Sequence, residues 1–172
     1  MPVAGGARAV ALALLLVGTA LGAAGSAAPA RADPTEEEGG AGGDPDYTEG
    51  KRAIERADWP RAVALLTAAV RRDARNADIH NQLGFAYRHA GDFAAAFAHY
   101  DEALRLNPRH RGAHEYAGEA ALLADNLPRA ERHLAALEKI CLLPCEELDD
   151  LRAAIAAYRE RKGSGAPRPR DK

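Results

Sequence analysis

Apolar residues recur at helical spacing through most of the chain, and the pattern predicts helices that come in pairs. In the segment 77–110 a first apolar stripe runs up to Gly91-Asp92, which interrupts it, and a second stripe runs from there to Asn107-Pro108. Spacings of three and four residues indicate one buried face on each helix. The first stripe comprises Ile79, Leu83, Ala86, Tyr87 and Ala90, and the second comprises Phe93, Ala96, Phe97, Tyr100, Ala103 and Leu104.

This helix pair occurs three times with a period of 34 residues, in the units 43–76, 77–110 and 111–144. A fixed period of this size is typical of a solenoid-like array. After the third unit, an apolar stripe of Leu148, Leu151, Ile155 and Tyr158 predicts a capping helix over 146–162 with one wet face. The sets that recur at the period are Gly50, Gly84 and Gly118; Ala62, Ala96 and Ala130; and Asp58, Asp92 and Asn126.

The recurring residues predict how each helix pair is built. Asp58, Asp92 and Asn126 precede the second helices, where their side chains can accept hydrogen bonds from unpaired backbone N–H groups. Glycine inside a helix costs about 0.5–1 kcal/mol. Three glycines in one phase therefore predict a close approach of the paired helices, opposite the recurring alanines.

The middle unit identifies a family. On the residues Leu83-Gly84, Tyr87, Ala96, Tyr100, Ala103 and Pro108, the chain resembles the tetratricopeptide repeat (TPR) family over residues 44–144. The resemblance implies an all-α fold, a right-handed α-solenoid of three helix-turn-helix units closed by the C-terminal capping helix. It also implies a non-catalytic interaction module without a cofactor, which binds a partner peptide or protein in a concave groove lined by the first helices.

Groove positions follow from the same resemblance. The residues implied to face a partner are Tyr47, Lys51, Asn81, Phe85, Arg88, Glu115, Tyr116 and Glu119. Chaperone-binding members of the family use a basic, Asn-rich clamp for a C-terminal carboxylate. The corresponding positions here hold Tyr47, Lys51, Gln82, Gly112 and Tyr116, so that clamp is absent.

Composition and charge disfavour two classes of protein. Forty-one of the 172 residues are alanine and nine are aromatic, which disfavours a strand-rich sandwich. The 23 basic and 25 acidic residues nearly cancel, which argues against a nucleic-acid-binding chain. Self-association through the ends or through exposed edges at Trp59 and Phe93 stays an alternative.

The N-terminal segment predicts export. Residues 1–32 lack acidic side chains and combine Arg8, an apolar run from Ala9 to about Leu21, and small residues ending at Ala32, the plan of a secretory signal peptide cleaved after Ala32. A membrane anchor is the alternative, but the run is shorter than the about 20 residues that span a bilayer. We therefore expect a periplasmic protein without an anchor, with a disordered acidic, Gly-rich linker over 33–43, a TPR domain over 44–162 and a disordered tail over 163–172.

Cys141 and Cys145 carry the second functional hypothesis. Two cysteines in an exported chain favour a structural disulfide, here between the third unit and the capping helix. Free thiols and a redox-active pair stay open, and so does a metal site, so a thiol-redox or metal-handling helper is the alternative to an adaptor. A metal site at His114, Glu115 and Glu119 is disfavoured because His114 and Glu119 are five residues apart, at a poor angle on one helix.

Overall fold

A computed structural model describes residues 43–164, and within that range the chain forms seven α-helices and no strand. The all-α prediction is confirmed. The proposed signal peptide and nearly all of the linker and tail lie outside the described residues. The helices are α1 (Pro45–Glu55), α2 (Trp59–Arg72), α3 (Ala77–His89), α4 (Phe93–Leu106), α5 (Arg111–Leu123), α6 (Leu127–Ile140) and α7 (Glu146–Ser164).

The helices pair in chain order into a solenoid. α1 packs on α2, α3 on α4 and α5 on α6, each pair contacts the next, and α7 packs against both α5 and α6. None of the helices in the described range is both long enough and apolar enough to span a bilayer. α7 ends two residues beyond the predicted Lys162, so Gly163 and Ser164 are helical rather than part of the tail.

The predicted caps are confirmed at all three joints. The side chain of Asp58 accepts from the Arg61 backbone N–H at 3.3 Å, and Asp92 and Asn126 do the same three residues ahead at 3.0 and 3.1 Å. Pro60 and Pro128 fall in the first turns of α2 and α6, where a missing N–H leaves no bond unmade. The three helix pairs therefore start their second helices in the same way.

The prediction for the glycines is only partly right. A Cβ on Gly50 would lie 2.8 Å from Leu66 Cγ, and one on Gly84 would lie 2.8 Å from the ring of Tyr100. The paired helices thus meet at a residue four positions beyond the expected alanine, although Ala96 O also lies 3.1 Å from the Gly84 position. The third glycine faces a different element, because the atoms nearest to a Cβ on Gly118 belong to Leu151 of α7.

A disulfide fixes α7 to the third helix pair. Cys141 is the C-terminal cap of α6, Cys145 immediately precedes α7, and the two are bonded. The predicted pairing is confirmed, and closing so short a loop contributes about 2 kcal/mol in the chain-entropy model. The loop leaves Leu142 and Leu143 exposed, while Leu151, Ile155 and Tyr158 of α7 are buried.

Candidate functional site

The first helices of the three pairs form one continuous surface, with α3 contacting α1 and α5 and α7 packing beside α5. The groove positions implied by the sequence all lie on α1, α3 and α5, but the structure separates them into three groups. The groups are Phe85, Arg88, Tyr116 and Glu119; Asn81 and Glu115, which share a cavity with Tyr116; and Tyr47 with Lys51.

Phe85, Arg88, Tyr116 and Glu119 form what we call the central cluster. Arg88 donates from Nη1 to Glu119 Oε2 at 2.5 Å, and its guanidinium lies 5.0 Å from the centre of the Phe85 ring and 5.6 Å from that of Tyr116. Arg88 is 7% exposed, whereas both rings are half-buried and 4.9 Å apart. The ion pair, of which only the Arg88 side is buried, therefore holds two aromatic rings in a fixed arrangement at the surface between α3 and α5.

Two further rings extend the central cluster towards the first helix pair. Trp59 stacks on His89 at 4.4 Å and lies 6.3 Å from Phe85. The sequence placed Trp59 on an exposed edge, but its side chain is half-buried against α3. The periodicity placed Trp59 at the start of a second helix. It did not indicate that the start of that helix contacts a first helix, α3.

Asn81 and Glu115 line a cavity of about 290 Å³ that α7 helps to enclose. We call it the acidic cavity, and its wall comprises Asn81, Gly112, Glu115, Tyr116, Glu146, Glu147 and Asp150. Burial, reinforced by Glu119, Asp150 and Glu147, raises the pKa of Glu115 to about 7. The sequence treated α7 only as a cap, and the carboxylates at its start were the overlooked signal.

A second cavity, of about 230 Å³, adjoins the central cluster. Arg88, Glu119 and Arg161 of α7 contribute its polar wall, and apolar surface comes from α5 and α7 through Leu122, Leu123, Ala154 and Ala157. A hydrophobic surface beside a fixed ion pair can take an apolar side chain and orient the backbone that carries it.

Tyr47 and Lys51 lie apart from the other groove positions. Lys51 Nζ sits 5.6 Å from the centre of the Tyr47 ring, and both border a shallow depression on α1. Tyr47 is 9% exposed and belongs to the core of the first helix pairs, so its ring is mainly a packing element.

Within the described residues, no group of three or more His, Cys, Asp or Glu side chains is placed to hold a metal ion. His114 turns away from Glu115 and Glu119, because its Nδ1 lies 3.1 Å from His133 Nδ1 and its Nε2 lies 3.1 Å from the carbonyl oxygen of Pro108. His80 makes the same contacts one repeat earlier, with His99 at 3.0 Å and with Ala74 O at 3.2 Å.

The same histidine pair occurs in two consecutive repeats. The sequence analysis identified one member of each pair and missed the other, His99 or His133. His99 and His133 are also 34 residues apart, so the period itself held the signal. Since Nε2 of His80 and of His114 faces a carbonyl oxygen, it carries the proton, and Nδ1 of each accepts from the partner imidazole. Burial lowers the pKa of His99 and of His114, and burial with nearby His114, Arg129 and Arg132 lowers the pKa of His133 to about 4.

These pKa shifts predict a loss of stability in mild acid. An unfolded imidazole has a pKa of about 6.5. At these three imidazoles the unfolded chain therefore binds more protons than the folded one as pH falls from about 6.5 towards the pKa of His133, and their contribution to the free energy of unfolding decreases over that window. Glu115, whose pKa is raised, contributes in the opposite sense, so His133 is tested by the difference between two chains. Urea unfolding between pH 7.5 and 5 measures the slope. The His133→Leu chain is expected to show a shallower slope, and equal slopes in both chains would contradict the assignment.

Comparisons with known proteins agree with this architecture. A tetratricopeptide repeat family profile matches residues 47–109 and 86–141. The structure is similar to the first TPR of Spaghetti (RPAP3) bound to the HSP90 peptide SRMEEVD, with a TM-score of 0.59, 19% identity and coverage of 66% of this chain and 93% of that one. It is also similar to the TPR2B domain of yeast Sti1 in complex with pHsp70 (0.62, 19%, 67% and 94%) and to the Sgt2 TPR domain from Aspergillus fumigatus (0.61, 20%, 74% and 85%). No curated protein matches the sequence significantly.

Proposed function

The chain belongs to the tetratricopeptide repeat family, and on that premise we propose that it is an exported, non-catalytic adaptor that holds a segment of a partner protein against α3, α5 and α7. The central cluster carries the proposal. Phe85 and Tyr116 offer half-buried aromatic surface, and the ion pair between Arg88 and Glu119 fixes the rings before any partner arrives. Preorganised aromatic anchors beside a pocket are the arrangement that concentrates binding energy at protein interfaces.

Two of the similar structures support a peptide as the ligand. One TPR is bound to the HSP90 peptide SRMEEVD, and the Sti1 domain is in complex with pHsp70. In this chain the positions of the chaperone clamp hold residues such as Gln82 and Gly112. We therefore expect a partner segment of different chemistry in the corresponding groove.

Two observations support the proposal that the protein is exported. Residues 1–32 have the three-part plan of a signal peptide. The disulfide between Cys141 and Cys145 fits an oxidising compartment such as the periplasm. Measuring the mass of the exported, C-terminally tagged chain tests this location. A mature protein that retains residues 1–32 would overturn it.

Selection of displayed random decapeptides against the purified full chain, followed by site-specific photo-crosslinking, tests the binding role. A photoreactive phenylalanine analogue replaces Phe85 in one chain and Phe93, at the start of α4, in a matched control. Enriched peptides are expected to cross-link from position 85 and not from position 93. Cross-linking from position 93 alone, or equal yields from both, would discard the groove.

Two variants separate the adaptor from the thiol-based alternative. Phe85→Ala with Tyr116→Ala is expected to weaken peptide binding at least about tenfold, because it removes both anchors and leaves the buried Arg88 in place. Cys141→Ser with Cys145→Ser is expected to lower stability and keep peptide binding. Loss of binding in a Cys variant that stays folded would favour a function centred on the thiols.

A further inference from the structure

Among the described residues, the side chains that line the acidic cavity present hydrogen-bond acceptors and no cation. Four of its side chains are carboxylates, contributed by Glu115 of α5 and by Glu146, Glu147 and Asp150 of α7. No lysine, arginine or histidine is among the lining residues. Arg111 approaches from the side and reaches Glu147 Oε1 at 3.5 Å, which leaves the other three carboxylates without an ion pair among the described residues.

A buried amide points to a ligand independently of the charges. Asn81 lines the acidic cavity from α3, is 4% exposed, and its Oδ1 has no hydrogen-bond partner in the described part of the chain. A buried acceptor without a donor is costly, and native structures rarely leave one unexplained. Because the Asn81 amide is part of the cavity wall, a donor that entered the cavity and reached this oxygen would satisfy it and face the carboxylates at the same time.

The shape and wall of the cavity favour an organic cation over a metal ion. Its volume of about 290 Å³ is close to the lower end of the about 300–1,000 Å³ of small-ligand pockets. Tyr116 forms one side, and an aromatic face attracts a guanidinium or ammonium group. The carboxylates do not converge on one point, since no metal-binding group occurs among the described residues.

We propose that the acidic cavity binds the cationic side chain of an arginine or lysine in the partner segment, so that the adaptor selects basic rather than acidic sequences. The inference rests on the proposed function, because the cavity shares Tyr116 with the central cluster and lies on the same groove. Its chemistry is the reverse of what an acidic peptide such as SRMEEVD requires. Burial, with the neighbouring carboxylates, raises the pKa of Glu115, and a cation that enters the cavity offsets both effects.

Three displayed decapeptide libraries test the proposal against the full chain. Their random positions exclude charged residues, and the central position is fixed as Arg, Gln or Glu. The Arg library is expected to be enriched at least about tenfold over the Gln library, with the Glu library below both. Equal enrichment of Arg and Gln libraries, with cross-linking from position 85 intact, would overturn the cation site and leave the groove standing. Failure of every library to enrich would overturn both.

Matched variants separate the cavity from the overall charge. Glu115→Gln with Asp150→Asn is expected to reduce the Arg-to-Gln ratio to below about threefold. The control Glu138→Gln with Glu160→Gln changes the charge equally at exposed carboxylates outside the cavity, and it is expected to keep the ratio. An equal fall in both variants would overturn the proposal. Asn81→Asp keeps an acceptor and retains the ratio, whereas Asn81→Leu lowers it.

Two rival occupants are distinguished in the same assay. If the chain's own tail filled the cavity, replacing Arg168, Arg170 and Lys172 with Gln would raise the enrichment of the Arg library severalfold. If a divalent cation were the ligand, adding Ca²⁺ at millimolar concentration would abolish the difference between libraries. Either result would overturn the partner assignment, and an unchanged ratio in both supports it.

Discussion

Replacing Leu151 with alanine is expected to lower the free energy of unfolding by about 2–5 kcal/mol, the range for truncating a fully buried leucine. Leu151 is 0% exposed and inserts where Gly118 leaves room, its Cδ1 lying 2.6 Å from the place that a Cβ on Gly118 would take. The cavity left by the truncation falls at the contact between α7 and α5. Urea unfolding monitored by circular dichroism measures the loss.

The contact with Gly118 makes this prediction specific. Gly118→Ala alone is expected to destabilise by about 1–3 kcal/mol, because the added methyl group overlaps the Leu151 side chain. In a chain that already carries Leu151→Ala, the same substitution is expected to cost less, since the smaller neighbour leaves room. Gly163→Ala, with no atom of the described residues within 4 Å of the new Cβ, is the control and should be neutral or slightly stabilising. Strictly additive losses would contradict the assigned contact.

Replacing Glu119 with leucine is expected to destabilise the fold by about 3–5 kcal/mol, because it leaves the Arg88 guanidinium buried without its counter-charge. The Arg88 side chain is 8% exposed and its Nε has no hydrogen-bond partner within residues 43–164, so little water is available to compensate. Thermal and urea unfolding at pH 7 measure the effect. A loss below about 1 kcal/mol would show that the rings of Phe85 and Tyr116 alone sustain the cation.

Removing the other partner of the ion pair, Arg88, should lower the free energy of unfolding by less. Glu119 is 30% exposed, so Arg88→Met leaves a carboxylate that water can still reach. The double variant Arg88→Met with Glu119→Leu is expected to recover most of the stability lost by Glu119→Leu, because neither charge remains. A double-mutant cycle on these three variants and the unsubstituted chain gives the coupling free energy. No recovery in the double variant would indicate that Glu119 stabilises the fold by contacts other than the ion pair.

Local chemistry made the repeat predictable. Asp58, Asp92 and Asn126 each accept a hydrogen bond from a backbone N–H three residues ahead. Their capping role can therefore be predicted from the sequence alone. The residue that packs against Gly118 could not be predicted in this way. The same phase in the first two pairs meets the following helix, but at the end of the array α7 supplies Leu151 instead. Periodicity identifies a face and cannot say which element covers it where the period ends.

The arrangement of the implied groove residues was predictable only in part. The resemblance named Phe85, Arg88, Tyr116 and Glu119, and the structure brings them together. It could not indicate that Arg88 would be buried and bonded to Glu119, because the contact joins different repeats at a separation of 31 residues rather than at the period. The carboxylates of α7 were outside the pattern altogether. Their contribution follows from the docking angle of α7, which the tertiary packing sets.

The double position of α7, closing the core on one face and walling the acidic cavity on another, links binding to folding. A segment that bridges α3, α5 and α7 contacts only the state in which α7 is docked. Occupancy therefore adds to the docking free energy of this helix, by about 2.7 kcal/mol at a ligand concentration one hundred times Kd. Under the proposed function, the docking of α7 and the recognition of the partner segment form one equilibrium, in which the bound segment stabilises the docked helix.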